Sequence, residues 1–173
     1  MKKIALILII TLLGTLSSEA QIQKVDQEVY GMDCAPCAYG LERGLKKMDG
    51  LQNVRVSLND GKAYLELATE NKLTLQGIQE EVKQNGFSAK KAQITISGTV
   101  KKVNGLWVID TGQELFDISQ HSPTELLQAL TPGMTTLSGT VEDEEDGNLS
   151  GRWAITLTTV SYTHLTLPTI YSV

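Results

Sequence analysis

The stretch that decides the fold of the first half of the chain reads Gly-Met-Asp-Cys-Ala-Pro-Cys at positions 31–37. It contains both cysteines of the protein and lies between a strand-like and a helix-like pattern. Two thiolates three positions apart at the start of a helix can face one small ion, and the helix N-terminus stabilises the thiolate form. The stretch is therefore typical of a soft-metal site or of a redox-active dithiol.

The residues around this stretch predict a βαββαβ module. Alternating apolar residues predict a strand ending near Val29, and leucines at helical spacing predict a helix after Cys37. A hairpin is expected around residues 59–61, then a second amphipathic helix capped by Thr74, then a strand over 87–96. The apolar positions expected to close one core are Val29, Leu41, Leu45, Val54, Val56, Leu65, Leu67, Ile78 and Val82. A fragment ending near Ile96 is accordingly expected to fold alone, although such small domains are marginal.

Further short motifs follow the cysteines in a fixed order. They are Gly31-Met32-x-Cys34-x-x-Cys37, Leu41-Glu42, Gly50-Leu51, Val54-Arg55-Val56-Ser57-Leu58, Gly61-Lys62-Ala63 and Asn85-Gly86-Phe87. Taken together they resemble a heavy-metal-associated domain. The resemblance implies a ferredoxin-like fold, with Cys34 and Cys37 as metal ligands and Met32 packed beneath the loop. Pro36 departs from the small flexible residue usual between the cysteines, which could stiffen the loop or alter its redox behaviour.

The two sulfur ligands limit the choice of metal. Thiolates favour Cu(I) and Hg(II), whereas a closed Zn(II) site needs two further ligands that the chain does not place beside them. We expect Cu(I), with Hg(II) or Zn(II) as alternatives. The resemblance implies a protein that carries or sequesters one ion, with a metal-transporting ATPase or an efflux protein as a possible partner. No set of catalytic residues is apparent, so we expect no enzyme activity.

Two alternative functions remain open. Cys-x-Pro-Cys also resembles the dithiol of thioredoxin-type oxidoreductases, which perform thiol–disulfide exchange. However, Asp33 stands where that family usually has an aromatic residue, and the next prolines, Pro123 and Pro132, give no candidate for its later substrate loop. The other alternative is an adhesion or interaction protein that binds through its second module and keeps a vestigial metal domain.

Residues 1–20 have the pattern of a bacterial signal peptide. Two lysines precede an apolar run over residues 4–16, and small residues occupy the positions that a signal peptidase reads before Gln21. The run is shorter than the ~18 residues of a typical membrane-spanning helix, so an uncleaved anchor is the less favoured alternative. We therefore expect a periplasmic or secreted protein that meets the membrane only through its signal peptide.

The second half of the chain has a different pattern. Its short β-runs predict three strands, a helix and two strands, which is the order of an OB-type five-stranded barrel. Trp107 and Trp153 are expected in the barrel core, because the net charge of −5 and the lack of a basic stripe argue against nucleic acid as a partner. His121 is expected to be an exposed loop residue and not a third metal ligand. The whole chain is thus predicted to be α+β.

The predicted domains are a signal peptide over 1–20, a heavy-metal-associated domain over 21–93 and an OB-like β-barrel over 94–159. One longer strand shared by the two domains is a further possibility, since no linker separates them. Residues 160–169 resemble the conceptual translation of a transposase mosaic-end adapter used in sequencing libraries. We therefore expect residues 160–173 to be an unstructured assembly artefact without function.

Overall fold

The computed structural model describes residues 20–142 and 152–161. The predicted signal peptide up to residue 19, the predicted acidic turn after Glu142 and the segment from residue 162 onward lie outside the described residues. Within the described ranges, every helix is too short or too polar to cross a membrane.

The first half has the predicted βαββαβ order. Its elements are β1 (Gln21–Tyr30), α1 (Ala35–Leu45), β2 (Leu51–Ser57), β3 (Lys62–Leu67), α2 (Leu75–Gln84) and β4 (Ser88–Val103). The strands form an antiparallel sheet in the order β2-β3-β1-β4. The two helices contact each other and cover one face of this sheet, so that the ferredoxin-like fold is confirmed.

The second half continues the same sheet and closes on itself. Its elements are β5 (Leu106–Asp110), β6 (Leu115–Ile118), α3 (Thr124–Ala129), β7 (Gly133–Val141) and β8 (Arg152–Ser161). Strand β4 pairs with β5, β5 with β6, β6 in parallel with β8, β8 with β7, and β7 again with β4. These pairings close a ring of strands β4, β5, β6, β8 and β7, which we call the five-strand ring.

Strand β4 belongs to both halves. It is 16 residues long, and it pairs with β1 over Ser88–Ser97 and with β7 over Ala92–Val100. The predicted boundary between residues 93 and 94 therefore falls inside one continuous strand. Buried side chains from both halves also form a single hydrophobic cluster. The halves consequently share a sheet and a core.

Two glycines explain how closely the strands of the ring approach each other. A Cβ on Gly98 would lie 2.5 Å from the carbonyl oxygen of Asp110, and a Cβ on Gly139 would lie 2.4 Å from that of Thr156. Real Cβ atoms do not come this close to a backbone oxygen, so any larger residue at either position would push the strands apart.

The predicted core is largely confirmed. All the positions expected in the first half are buried except Val56, which is half-buried. In the five-strand ring Trp153 is 1% exposed. Trp107, by contrast, is only half-buried, with the Lys102 Nζ 4.7 Å from its ring centroid. Trp107 therefore covers the edge of the core instead of filling it.

The end of β8 corrects the predicted start of the unstructured tail. Val160 pairs with Leu137 and Ser161 pairs with Thr136, so both residues belong to the sheet. They are ordered because β7 offers backbone hydrogen-bonding groups alongside them, which any extended chain can use. An unstructured segment can therefore begin no earlier than residue 162.

Candidate metal centre

The cysteine loop connects β1 to α1, and the residues just before the cysteines position it. Gly31 has a φ of +87°, a backbone conformation that favours glycine and turns the chain out of β1. Met32 is 6% exposed and belongs to the hydrophobic cluster, as the resemblance implied. Its side chain is therefore part of the hydrophobic core and anchors the start of the loop.

The two cysteines lie at the start of α1. Cys34 is the N-cap residue, and its Sγ accepts a hydrogen bond of 3.1 Å from the backbone N–H of Cys37. The two residues are joined by a disulfide, with their Cα atoms 5.1 Å apart. Both side chains are half-buried, whereas Ala35 and Pro36 between them are exposed. The structure thus brings the two predicted ligands together at the protein surface.

This arrangement fits a soft cation. The disulfide shows that both sulfur atoms reach one common point, and reduction would leave two thiolates beside the positive end of the helix dipole. The described residues contain no group of three or more His, Cys, Asp or Glu side chains arranged so that they could hold a metal ion. His121 is exposed and contacts Ser119. Once reduced, the two sulfurs would offer two donor atoms, a number that suits Cu(I) or Hg(II) better than Zn(II).

Two exposed tyrosines flank the loop, and the sequence analysis did not identify them. Tyr30 at the end of β1 is 64% exposed, and Tyr39 in the second turn of α1 is 63% exposed. The Nζ of Lys90 lies 5.9 Å from the Tyr30 ring centroid, and the guanidinium of Arg43 lies 5.8 Å from that of Tyr39. Each of the two exposed rings beside the loop therefore has a cation near its face. Tyr39 could have been noticed from its place on the polar side of the helical pattern.

Helix α2, which packs against α1, is capped from the five-strand ring. The Glu114 carboxylate accepts hydrogen bonds from the backbone N–H groups of Leu75, at 2.6 Å, and Gln76, at 3.0 Å. The indole N–H of Trp153 donates to the same carboxylate at 3.1 Å. A carboxylate at a helix N-terminus is stabilising because it faces unpaired N–H groups and the positive end of the dipole. The ring thus helps to hold the helical layer that supports the cysteine loop.

Helix α1 is also tied to the edge of the sheet. The Glu42 carboxylate accepts hydrogen bonds from Lys46 Nζ, at 2.5 Å, and from the backbone N–H of Val56 in β2, at 3.0 Å. These two bonds lower the pKa of Glu42, the one from Lys46 contributing most. The ionised carboxylate therefore joins α1 to β2 through the hydrogen bond from Val56.

Comparison with known proteins identifies the first half of the chain. Residues 28–88 match the heavy-metal-associated domain family. The copper chaperone CopZ of Staphylococcus epidermidis is 27% identical over 63 residues, which are 36% of this chain and 91% of the chaperone. A copper binding domain from HMA7, a P-type ATPase, is 27% identical, covering 40% of this chain and 90% of that chain with a TM-score of 0.36. The N-terminal domain of PacS from Synechocystis PCC6803 is 28% identical, covering 39% of this chain and 94% of that chain with a TM-score of 0.34. The protein therefore contains a heavy-metal-associated domain at residues 28–88.

Proposed function

We propose that the protein binds one soft metal ion through Cys34 and Cys37 and carries or sequesters it outside the cytoplasm. The observation that carries this proposal is the meeting of both sulfur atoms on an exposed loop at the N-terminus of α1. The loop is anchored by buried Met32, so the donor atoms are pre-arranged without being enclosed. Such a site can take up an ion and release it again to another protein.

Cu(I) is the proposed ion. Two thiolates can satisfy it, and the similar proteins are named as copper chaperones and copper-binding domains. Hg(II) has the same preference for two sulfurs and is the alternative. Zn(II) is a weaker alternative, because its usual tetrahedral site would need two further ligands from a partner or from solvent.

The proposed partner is a metal-transporting ATPase or an efflux protein with thiolates of its own. Ala35 and Pro36 are exposed between the cysteines, so a second protein can approach the ion without moving the fold. Tyr30 and Tyr39 lie beside the loop, and their exposed rings and neighbouring cations offer contact area to such a partner. These contacts would select the partner, while the sulfurs hold the ion.

Export and the role of the five-strand ring complete the proposal. Cleavage before Gln21 would leave a chain that starts with β1 and works in the periplasm or outside the cell. There the pair must be reduced before it can bind metal, because only thiolates are ligands.

We take the ring to be an OB-type barrel, since β6 runs parallel to β8 and α3 lies between β6 and β7. In this proposal the ring stabilises the metal domain by capping α2.

A titration of the reduced protein with Cu(I), in the presence of a competing chelator, tests the proposal. We expect one ion per chain, and loss of most of the affinity when Cys34→Ser and Cys37→Ser are combined. Ala35→Ser is the matched control, because it alters the same exposed loop and leaves both thiols in place. Unchanged binding by the double variant would contradict the proposal.

Thiol–disulfide exchange is a second candidate, and the disulfide at a helix N-terminus favours it. The two functions differ in what the cysteines do in the absence of metal. For a metal carrier we expect negligible reduction of insulin by the reduced protein, together with protection of both thiols from alkylation when Cu(I) is bound. Rapid insulin reduction would instead support the oxidoreductase.

A further inference from the structure

The second helical position of α1 is occupied by Pro36 and therefore has no backbone N–H. With Cys34 as the N-cap, Ala35, Pro36 and Cys37 are the first three helical residues. The side chain of an N-cap residue ordinarily accepts from the backbone N–H of the second or third helical residue. Here the third residue, Cys37, donates to the sulfur at 3.1 Å. The second residue is proline, which has no N–H to donate.

This missing donor affects the reduced and oxidised states unequally. A thiolate carries a negative charge, and hydrogen bonds to charged acceptors are roughly twice as strong as those to neutral ones. A disulfide sulfur is neutral and gains little from the same N–H. Withholding an amide from Cys34 therefore raises the free energy of the reduced, ionised pair relative to the disulfide.

We propose that Pro36 sets the redox balance of the cysteine pair in favour of the disulfide and thereby limits the fraction of the protein able to hold a soft metal ion. The effect of Pro36 on metal binding rests on the function proposed above, whereas its effect on the redox balance does not. The reaction is an exchange with a small dithiol or with two monothiols such as glutathione. The Cys34–Cys37 bond breaks, each sulfur gains one electron and becomes a thiol or thiolate, and the two glutathione sulfurs form the new disulfide.

The test is equilibration of the metal-free protein in glutathione buffers of graded ratio, followed by alkylation of free thiols and mass measurement. Pro36→Ala restores an N–H at the second helical position. We expect it to favour the reduced form by about tenfold in the exchange constant, equivalent to ~30 mV for this two-electron couple. Pro123→Ala is the control, because Pro123 is the N-cap of α3, a helix that packs against β8 in the second half of the chain. An unchanged constant for Pro36→Ala, or a shift towards the disulfide, would overturn the proposal.

A second variant separates the amide from the stiffness of proline. Pro36→Gly restores the same N–H and adds more backbone freedom than alanine does. If the amide is responsible, the alanine and glycine variants should have similar exchange constants, and the residue 36 amide proton of Pro36→Ala should shift downfield on reduction in an NMR spectrum. A much larger effect of glycine, without that shift, would show that stiffness is responsible and would refute the amide role.

The measurement contains no metal, so it is independent of the metal titration. If both cysteines can be replaced without loss of Cu(I) binding, the proposed function fails while the redox balance set by Pro36 still stands or falls on its own result. If the exchange constant of Pro36→Ala equals that of the parent protein, the inference fails while the metal site is unaffected.

Discussion

The cysteine loop and the joint between the two halves are held by contacts of very different range. In the loop, Cys34 and Cys37 are three positions apart, and the sulfur of one accepts from the amide of the other. At the joint, Glu114 caps a helix that begins 39 positions earlier, and the hydroxyl groups of Thr95 and Ser138 lie 2.9 Å apart across 43 positions. The loop therefore depends on local geometry, whereas the joint depends on the complete fold.

The strongest test of this difference is removal of the second half. Ending the chain after Ile96 would cut β4 and expose the edge along which β7 pairs. It would also remove about a third of the shared hydrophobic cluster. We now expect this fragment to unfold at a much lower temperature than the intact protein, in contrast to the independent folding expected from the pattern alone. Thermal unfolding followed by circular dichroism would measure this, and an equal midpoint for fragment and full chain would refute the dependence.

The two tryptophans offer a matched pair within the five-strand ring. Trp153→Ala removes a side chain that is 1% exposed, and it also leaves Glu114 without its indole donor. We expect a loss of ~3–5 kcal/mol in the free energy of unfolding. Trp107→Ala should cost clearly less, because that ring is half-buried. Urea unfolding of both variants measures the difference, and equal losses would show that burial does not control it.

Glu114 tests the joint without creating a large cavity. Glu114→Ala leaves the N–H groups of Leu75 and Gln76 without their acceptor, which should cost ~1–3 kcal/mol. Glu114→Gln keeps one acceptor oxygen and should cost less. Hydrogen exchange at these two amides should accelerate in the alanine variant if the cap holds the helix. Unchanged exchange rates would mean that Thr74, which accepts from Gly77 at 3.0 Å, is sufficient by itself.

The smallest expected effect concerns Glu42 and pH. The hydrogen bonds from Lys46 and Val56 lower its pKa in the folded state, so its contribution to stability is fully present above the unfolded value of ~4.3. That contribution is lost as the pH falls through the lower, folded value. Urea unfolding of the protein and of Glu42→Gln at several acidic pH values should therefore show a stability difference that shrinks with acidification. A difference that stays constant with pH would contradict this assignment.

The parts of the molecule that could be predicted are those with local causes. The alternation in β1, the helical spacing after Cys37 and the capping by Thr74 each depend on neighbours in the sequence, and the structure confirms all three. Met32 was placed correctly by the family resemblance. The length of β4 was harder to judge. Strand β4 pairs with β1 along one edge and with β7 along the other, so no turn residue marks where one domain ends and the next begins.

The sequence by itself determined the βαββαβ order, the order of elements in the second half and the position of both cysteines on one loop. These depend on side-chain periodicity, turn residues and spacing, which act over a few positions. Only the tertiary structure decided that β4 is shared, that the ring closes through β7, and that Glu114 caps α2 while it accepts from the indole N–H of Trp153. These features join residues far apart in the chain, and their free energy comes from burial and hydrogen bonds that exist only once both halves have folded together.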